Sequence, residues 1–366
     1  MLDARQDGVN SGCCDRRVWK IDAVSGEVSL DMPNSRTQDN QSAYEALRPI
    51  MRRFGASCTP REFYWAVNRA YHTVESRQYD VLHAEMFLGL EPVWQRLTRW
   101  LPAQPQRLTV LDIGSGTGLV PEYLNRLCPN RIAKVTALDP CQAMLDEQKS
   151  KESRWAFAVE RILGDTGALP PDAAFDVVTV NSVLHHIVEL REFCSHVTRL
   201  LKPGGVLLTA QDAPASATSD PVLSSRMKEA QQKRKLRRLS PARLGHNVGA
   251  IWERLFGKPE SRMLERGTNR PLLEQKLISR PMDVASIWAV TDFHIPGQVE
   301  EIGRGIAIDD LKQWLHPCSP LDTFTYQFWG IARVHLDEDE KRQEQAWFDG
   351  NDQHGGLFAS AWRQSS

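Results

Sequence analysis

The stretch Val110-Leu-Asp-Ile-Gly-Ser-Gly-Thr-Gly118 constrains this chain more than any other. Residues 108–113 form a leucine and β-branched run with an acid near its end, stopped by three glycines spaced two apart. A segment with Val120, Tyr123, Leu124 and Leu127 on one helical face comes next. Strand, tight glycine turn and helix, in that order, let a nucleotide-like ligand lie against bare backbone at a helix N-terminus. The spacing is G-x-G-x-G, unlike the G-x-G-x-x-G of a dinucleotide site, and no Lys-Ser/Thr pair succeeds it as a phosphate loop requires. The glycines alone also fit an ordinary turn. The segments after them decide.

Residues 134–138 read as a second buried strand ending in Asp139, about twenty residues past the glycines, where an open α/β sheet presents a carboxylate to ribose hydroxyls. The run Arg161-Ile-Leu-Gly-Asp165-Thr-Gly-Ala-Leu-Pro170 is a short strand entering an acidic loop. Residues 175–180 give a fourth strand, with Asn181-Ser-Val-Leu-His-His186 at its carboxyl end. A helix comes after it, with Leu190, Phe193, Val197, Leu200 and Leu201 at helical spacing, closed by Lys202-Pro-Gly-Gly205. Residues 206–210 complete the series and end at Gln211-Asp212. Alternating strands and helices predict a doubly wound, Rossmann-like sheet with ligand at its carboxyl edge.

This ordered set resembles the class I S-adenosylmethionine-dependent methyltransferases over residues 108–212. The D-I-G-S-G-T-G, L-D-P, G-D-T, L-H-H and L-K-P-G-G elements are similar to the small-molecule branch related to quinone-biosynthesis methyltransferases. The resemblance implies a seven-stranded sheet, mostly parallel, whose last strand is antiparallel and lies between the fifth and sixth. It also implies S-adenosyl-L-methionine as cofactor. Gly114, Gly116 and Gly118 would let its methionine part approach the backbone. Asp112 would face its amino group, Asp139 would accept both ribose hydroxyls, and Pro140 would line the adenine. Asp165 would take the adenine amino group beside the Thr166 amide, and Asn181 and Ser182 would flank the methionine. The plainer alternative for each of these acids is a solvated loop residue or a helix cap.

With 366 residues, the chain exceeds one minimal domain of this kind, about 230–250 residues, and carries extra structure. A net charge of −1 argues against a general nucleic-acid binder. No apolar run reaches about 18 residues and the N-terminus is polar, so a cytoplasmic protein without a membrane span is expected. The seven cysteines include no C-x-x-C and no metal-spaced cluster, so free thiols are expected and no metal site.

Five segments are expected. Residues 1–42 are polar and partly mobile, with a possible hairpin formed by residues 18–21 and 28–30 around Ser25-Gly26. Residues 43–105 form a helical lid: Thr59-Pro-Arg-Glu62 is a capping box, Phe63, Val67, Ala70, Tyr71 and Val74 share one face, and a second helix covers 91–101. In similar enzymes a helix and a Tyr-Asp near this point cover the cofactor. Tyr79 and His83 therefore either belong to the lid or pack between helices. Residues 106–212 form the cofactor-binding core and residues 213–304 a helical insertion capping the acceptor site. Within it, Ser240-Pro-Ala-Arg243 starts a helix with Leu244, Val248, Ile251, Trp252, Leu255 and Phe256 on one face. Residues 305–366 return to the core with a helix at 309–315, a sixth strand at 323–334, a solvated acidic run at 337–344, and a seventh strand at 356–362.

Methyl transfer is an in-line displacement, and positioning and desolvation supply much of its rate. A hydroxyl acceptor gains from a base, whereas an amine need only be neutral. The candidates are His186, beside the methyl position, Asp212, at the end of the fifth strand, and His294, in an apolar part of the insertion near Asp292. Each could instead be structural: a loop anchor, a cap and a core histidine. His185 and His186 are adjacent and expected to point apart. The eleven tryptophans are spread over the chain; Trp288 and Phe293 could wall an acceptor pocket. The basic run 228–243 could clamp an anion or meet RNA, but a solvated helix face explains it as well.

The reading is a methyltransferase acting on an O or N acceptor of a small organic molecule, a biosynthetic metabolite. Carbon methylation of an activated ring or enol is the first rival, and methylation of RNA or protein the second. Asn181-Ser-Val-Leu184 stands where amino-methylating enzymes of nucleic acid or glutamine carry N-P-P-Y. A third rival keeps the cofactor pocket as a binding module without transfer. The oligomeric state is not legible.

Overall fold

The computed structural model describes residues 19–21, 28–30, 43–238, 259–295 and 305–365. Two compact units are present, residues 1–40 and 41–366. In the first, β1 (Trp19–Ile21) and β2 (Val28–Leu30) pair antiparallel with Trp19 opposite Leu30, as the hairpin pattern suggests.

The second unit is built on seven strands: β3 (Leu108–Ile113), β4 (Ile132–Asp139), β5 (Ala158–Leu163), β6 (Phe175–Asn181), β7 (Leu201–Asp212), β8 (Ser319–Tyr326) and β9 (Leu357–Arg363). Their order is β5-β4-β3-β6-β7-β9-β8. All pairings are parallel except those of β9, which is antiparallel to both neighbours. This is the expected seven-stranded Rossmann-like sheet, its last strand inserted between the fifth and sixth. The strands read as apolar runs because both faces are covered. Leu108, Val110, Val206, Leu208 and Ala359 pack on one face with Trp94 and Tyr123, whereas Leu111, Ile113, Leu207, Phe358 and Trp362 pack on the other. Each fully buried side chain such as Leu111 contributes about 1.5–3 kcal/mol.

β7 departs from regular pleating at a point that matters for the site. Ala210 pairs with Ala359, but Asp212 pairs with the next residue of β9, Phe358. Gln211 is therefore an extra residue, held at φ 70° in the left-handed region. Such a bulge re-aims the side chain after it. Regular alternation would put Asp212 on the face of Ala210, but the bulge carries it to the face of Phe358. The Gln211 amide, lost from the ladder, donates to Tyr326 Oη at 2.8 Å, and that hydroxyl donates to Gln211 Oε1 at 3.0 Å.

A helical layer lies over the carboxyl end of β6. The capping box forms as its sequence predicts: Glu62 N donates to Thr59 Oγ1 and Thr59 N to Glu62 Oε2, starting the helix Pro60–Glu75. This helix packs with Pro259–Glu274 and Val284–Thr291 of the insertion around one core that includes Phe63, Val67, Leu264, Leu272, Ile287 and Phe293. Gly267 lets two helices approach closely, since a Cβ there would stand 2.6 Å from Val74 Cγ2. Lid and cap, separate in the sequence, thus share one core. Among the described residues no helix is long and apolar enough to cross a membrane, and Cys58, Cys128, Cys141, Cys194 and Cys318 are free.

Two expectations need correction. The sixth strand stops at Tyr326 instead of reaching 334, because Gln327 and Gly330 are left-handed and turn the chain. Phe328 and Trp329 then pack against Trp347, with ring centroids 5.9 and 5.0 Å away, so their apolar character serves a turn. The acidic run forms the helix Glu338–Asp349, but Glu340 and Glu344 are buried, and burial pushes the Glu344 carboxyl up to about 7. In the basic run, Lys233 pairs with Glu229 at 2.8 Å and lies over Trp329. The expected helix face from Leu244 to Phe256 lies outside the described residues.

The N-terminal helix Glu91–Leu97 is fastened to β8 by charge. Arg96 donates twice to Asp322, at 2.8 Å each, while its guanidinium lies 4.0 Å above Phe324 and Trp100 Nε1 donates to the same carboxylate. Replacing Asp322 by Ala removes both bonds of the fork, leaves the largely buried guanidinium only Asn351 Oδ1 as a hydrogen-bond acceptor, and should lower unfolding free energy by about 2–3 kcal/mol in urea titration. Glu229→Ala, at an exposed pair, should cost less than about 0.5 kcal/mol. Equal, small losses in both would show that the Arg96 fork is dispensable.

Candidate functional site

The glycine turn folds back on the end of β4. Gly114 and Ser115 amides donate to the Leu138 carbonyl at 2.8 and 3.1 Å, and Gly116 N donates to Asp139 Oδ2 at 2.8 Å. Cys141 N occupies Asp139 Oδ1 at 2.8 Å. Burial pushes the Asp139 carboxyl up while these two amides pull it down. Asp112 is buried deeper. Its oxygens accept from Ser115 Oγ at 2.6 Å and Thr179 Oγ1 at 2.7 Å, and burial, opposed by these hydroxyls, pushes it up to about 7. Its visible work is to hold the turn onto β6.

The glycines differ in what they require. A Cβ on Gly114 would stand 2.3 Å from Val183 Cγ2, and one on Gly118 2.7 Å from the Trp155 ring. Both positions are also left-handed, at φ 65° and 95°. A Cβ on Gly116 would meet only a carbonyl at 3.9 Å. Open backbone is therefore confined to the middle glycine, and the outer two are demanded by the protein's own packing.

The remaining residues of the expected cofactor set lie along the same edge. Asn181 ends β6, buried, and its Oδ1 has no hydrogen-bond partner. Ser182, left-handed at φ 59°, donates its amide to the Ala210 carbonyl. Asp165 caps the short turn Thr166–Ala168 through Gly167 N, Thr166 Oγ1 lies 3.2 Å from His196 Nδ1, and Pro140 is exposed beside Asp139.

The helix Tyr79–Leu82 is tied to the glycine turn through Asp80. Asp80 accepts from Thr117 Oγ1 at 2.6 Å and pairs with Lys151, which also donates to the Thr117 carbonyl. His83 Nε2 meets Glu75 Oε1 at 2.8 Å, and Tyr71 donates to the same oxygen. The Tyr79 hydroxyl is pushed far up, first by burial and then by Glu75, Asp139 and Asp292. Tyr79 thus sits among the carboxylates of both halves of the site.

On the acceptor side, the loop after β6 carries two imidazoles that face one center. This overturns the expectation that they point apart: the rings of His185 and His186 lie 4.0 Å apart at 46°, because Leu184–His186 is a tight 3-10 turn. Asp212, re-aimed by the bulge, accepts from the His185 amide at 3.0 Å and meets its Nδ1 at 2.7 Å. Burial lowers His185, but the Asp212 hydrogen bond and charge outweigh it and raise the imidazole. His186 is held well below its ordinary value by burial and then by His185 and His72. Its Nδ1 donates to the Thr291 carbonyl at 2.6 Å. Asp292 Oδ1 lies 3.6 Å from His186 Nδ1 and 4.0 Å from His185 Nε2.

The other proposed groups serve the loop. His294 donates Nε2–H to the Ile187 carbonyl at 2.9 Å and its amide to His185 O, so its reach is spent on backbone. Phe293 is buried in the helical core and Trp288 packs against that core. Sequence reasoning chose His186 with Asp212 and missed that Asp212 grips His185. It also passed over Glu75 and His72. The adjacent His-His offered a signal, but no periodicity tells which ring meets which acid.

The lid attachment carries a pH signature. Burial raises Glu75, but hydrogen bonds and charge from His72 and His83 outweigh it and bring it down to about 2; Tyr71, Tyr79 and Asp292 also face this region. Burial lowers His83, yet Glu75 and Glu85 raise it to about 9. Glu75's contribution is therefore full above its ordinary 4.5 and lost as pH falls through about 2. His83's contribution is full below its ordinary 6.5 and lost as pH rises through about 9. His83→Gln should consequently lower the melting temperature at pH 6 and converge on the wild type by about pH 10. A pH-independent difference would show that only packing is lost.

Residues 111–209 match the model of the methyltransferase domain family. The ubiquinone/menaquinone biosynthesis C-methyltransferase UbiE of Escherichia fergusonii is 31% identical over 148 residues, 40% of this chain and 58% of the relative; that of Salmonella arizonae has the same identity and coverage. The match thus spans less than two thirds of these relatives. Among solved structures, the N-methyltransferase NodS of Bradyrhizobium japonicum with S-adenosylhomocysteine aligns at TM-score 0.38 and 11% identity, over 75% of this chain and 87% of that one. The [4+2]-cyclase SpnF aligns at 0.40 and 15%, over 75% and 81%. Residues 111–209 are thus similar to a methyltransferase domain, and the likeness extends to quinone-biosynthesis methyltransferases over part of their length.

Proposed function

We propose that this protein transfers a methyl group from S-adenosylmethionine to an O or N atom of a small organic acceptor, a biosynthetic metabolite. The observation that carries the reading is the buried, unpartnered Asn181 Oδ1 at the end of β6, beside a turn whose only open backbone is Gly116. A buried acceptor without a donor is costly unless a ligand answers it. The α-ammonium of a bound methionine moiety fits that need. Asp139, with one lone pair on each oxygen engaged by an amide, keeps the others for ribose hydroxyls. Asp112 accepts one hydroxyl on each oxygen, which holds the turn, and it keeps the same spare lone pairs for the amino group of the methionine moiety, directly or through water. Asp165, Thr166 and Pro140 would border the adenine, Ser182 the methionine, and Tyr79 would cover both.

The bound cofactor supplies a sulfonium methyl that is already electrophilic. The chain's part is to align an acceptor lone pair with it and exclude water. The polar groups that can orient an acceptor are His185, His186 and Asp292, with Asp212 fixing His185 from behind. A hydroxyl acceptor suits them best. A second reading, carbon methylation next to such a hydroxyl, is favoured by the C-methyltransferase name of the relatives. Methylation of RNA or protein draws no comparable support, since Lys233 of the basic run is engaged by Glu229 and Trp329.

Calorimetry with S-adenosylhomocysteine tests the cofactor part. Asp139→Ala and Asn181→Leu should each weaken binding by about 1–3 kcal/mol, roughly 5- to 150-fold. Wild-type affinity in both would remove these residues from the cofactor site. Transfer of a carbon-13 methyl to panels of phenols, amines and hydroquinones, read by product NMR, separates O, N and C acceptors. No product from any small-molecule panel would count against the acceptor class.

A further inference from the structure

We infer that His185, His186 and Asp292 form a binding site for one divalent transition-metal ion at the acceptor side of the chamber. One donor atom from each lies within 4.8 Å of the other two. Two of those separations are 3.6 and 4.0 Å, both measured to Asp292 Oδ1. Donors bound at about 2.0–2.2 Å to a common ion stand about 3.0–3.4 Å apart, so contraction by about 1 Å completes the set. The three residues come from two elements packed against each other, the turn after β6 and the end of the helix Val284–Thr291.

Independent features agree with an ion. His185 meets Asp212 through Nδ1, which leaves Nε2 toward Asp292 as the lone-pair nitrogen; a carboxylate behind a ligating imidazole is the usual means of fixing its tautomer and direction. Asp292 is a carboxylate in a largely enclosed place whose one short-range hydrogen bond is from Thr291 Oγ1 at 3.3 Å. It faces two imidazoles, 3.6 and 4.0 Å away, without a direct hydrogen bond to either. For His186 Nδ1 to ligate, the proton that it shares with the Thr291 carbonyl moves to Nε2, so the ring stays neutral in its other tautomer, and the freed carbonyl is a further oxygen donor. Two imidazole nitrogens and one carboxylate select Mn²⁺, Fe²⁺, Co²⁺, Ni²⁺ or Zn²⁺ over Mg²⁺ and Ca²⁺. Three protein ligands leave positions open for an acceptor hydroxyl, whose own acidity the ion would raise, sending its proton to solvent. This use of the ion rests on the methyl-transfer reading; binding of the ion does not.

The test uses the full chain, stripped with a chelator and titrated with Co²⁺ and Zn²⁺ by calorimetry and visible absorption. One saturable ion per chain is expected, with cobalt absorption bands that Zn²⁺ abolishes. Asp292→Asn and His186→Ala should remove the saturable phase. Asp212→Asn, which only reorients His185, should weaken it about 10- to 100-fold, while His335→Ala leaves it unchanged. Retained S-adenosylhomocysteine binding in each variant certifies its fold. No saturable binding by the wild type, or binding indifferent to Asp292→Asn, overturns the inference even where S-adenosylhomocysteine binds normally. Metal binding without S-adenosylhomocysteine binding would instead sink the methyl-transfer reading and leave the site standing.

Discussion

A carboxylate taken out of water must be answered by donors, and this fold places three such groups at the ends of strands β3, β4 and β7. Asp112, Asp139 and Asp212 are each under a tenth exposed, and each accepts from groups that belong to a neighboring element. Asp112 draws Ser115 and Thr179 together, Asp139 draws the amides of Gly116 and Cys141, and Asp212 draws the amide and ring of His185. The turns at the carboxyl edge are thus shaped by the same groups that make the edge polar. Losing one would leave buried donors unsatisfied and release a loop, so architecture and site are coupled at these three points.

The bulge at Gln211 shows how little backbone is needed to assign a side chain to a site. One extra residue moves Asp212 across the sheet, and Tyr326 satisfies the amide that the bulge frees. A non-glycine residue in the left-handed region is uncommon, and here the hydroxyl of Tyr326 holds it there. Gln211 and Tyr326 therefore act on His185 without touching it.

Much of the fold is legible in the sequence. Parallel strands covered on both faces must be apolar runs, and those runs end in acids where the sheet meets the ligand, so β3 to β7 and the acids after them can be read directly. The capping box at Thr59 is legible because it is a local pattern. The features that escape depend on three-dimensional partners. Phe328 and Trp329 look like strand residues, but Gln327 and Gly330 turn them onto Trp347. Glu344 looks solvated, yet its helix turns it toward Phe328 N. The choice between His185 and His186 rests on the bulge, which no spacing announces.

The two halves of the site are built by different means, and this bears on how the protein selects what it acts on. The glycine turn is closed mainly within the sheet and its turns, with Asp80 reaching it from the helix Tyr79–Leu82. The loop carrying the imidazoles is held from outside: Tyr64 donates to His186 O, Thr291 O accepts from His186 Nδ1, and His294 grips both His185 O and Ile187 O. Those straps come from the N-terminal helix Pro60–Glu75 and from the insertion, which share one core. A shift in that core pulls on His186 from outside the sheet, while Asp212 keeps His185 on β7 and the bonds of Asp112 and Asp139 stay as they are. Substitutions in the helical layer can therefore reshape the loop of His186 at little cost to the glycine turn. The insertion between β7 and β8 has physical leverage over that loop through this shared packing.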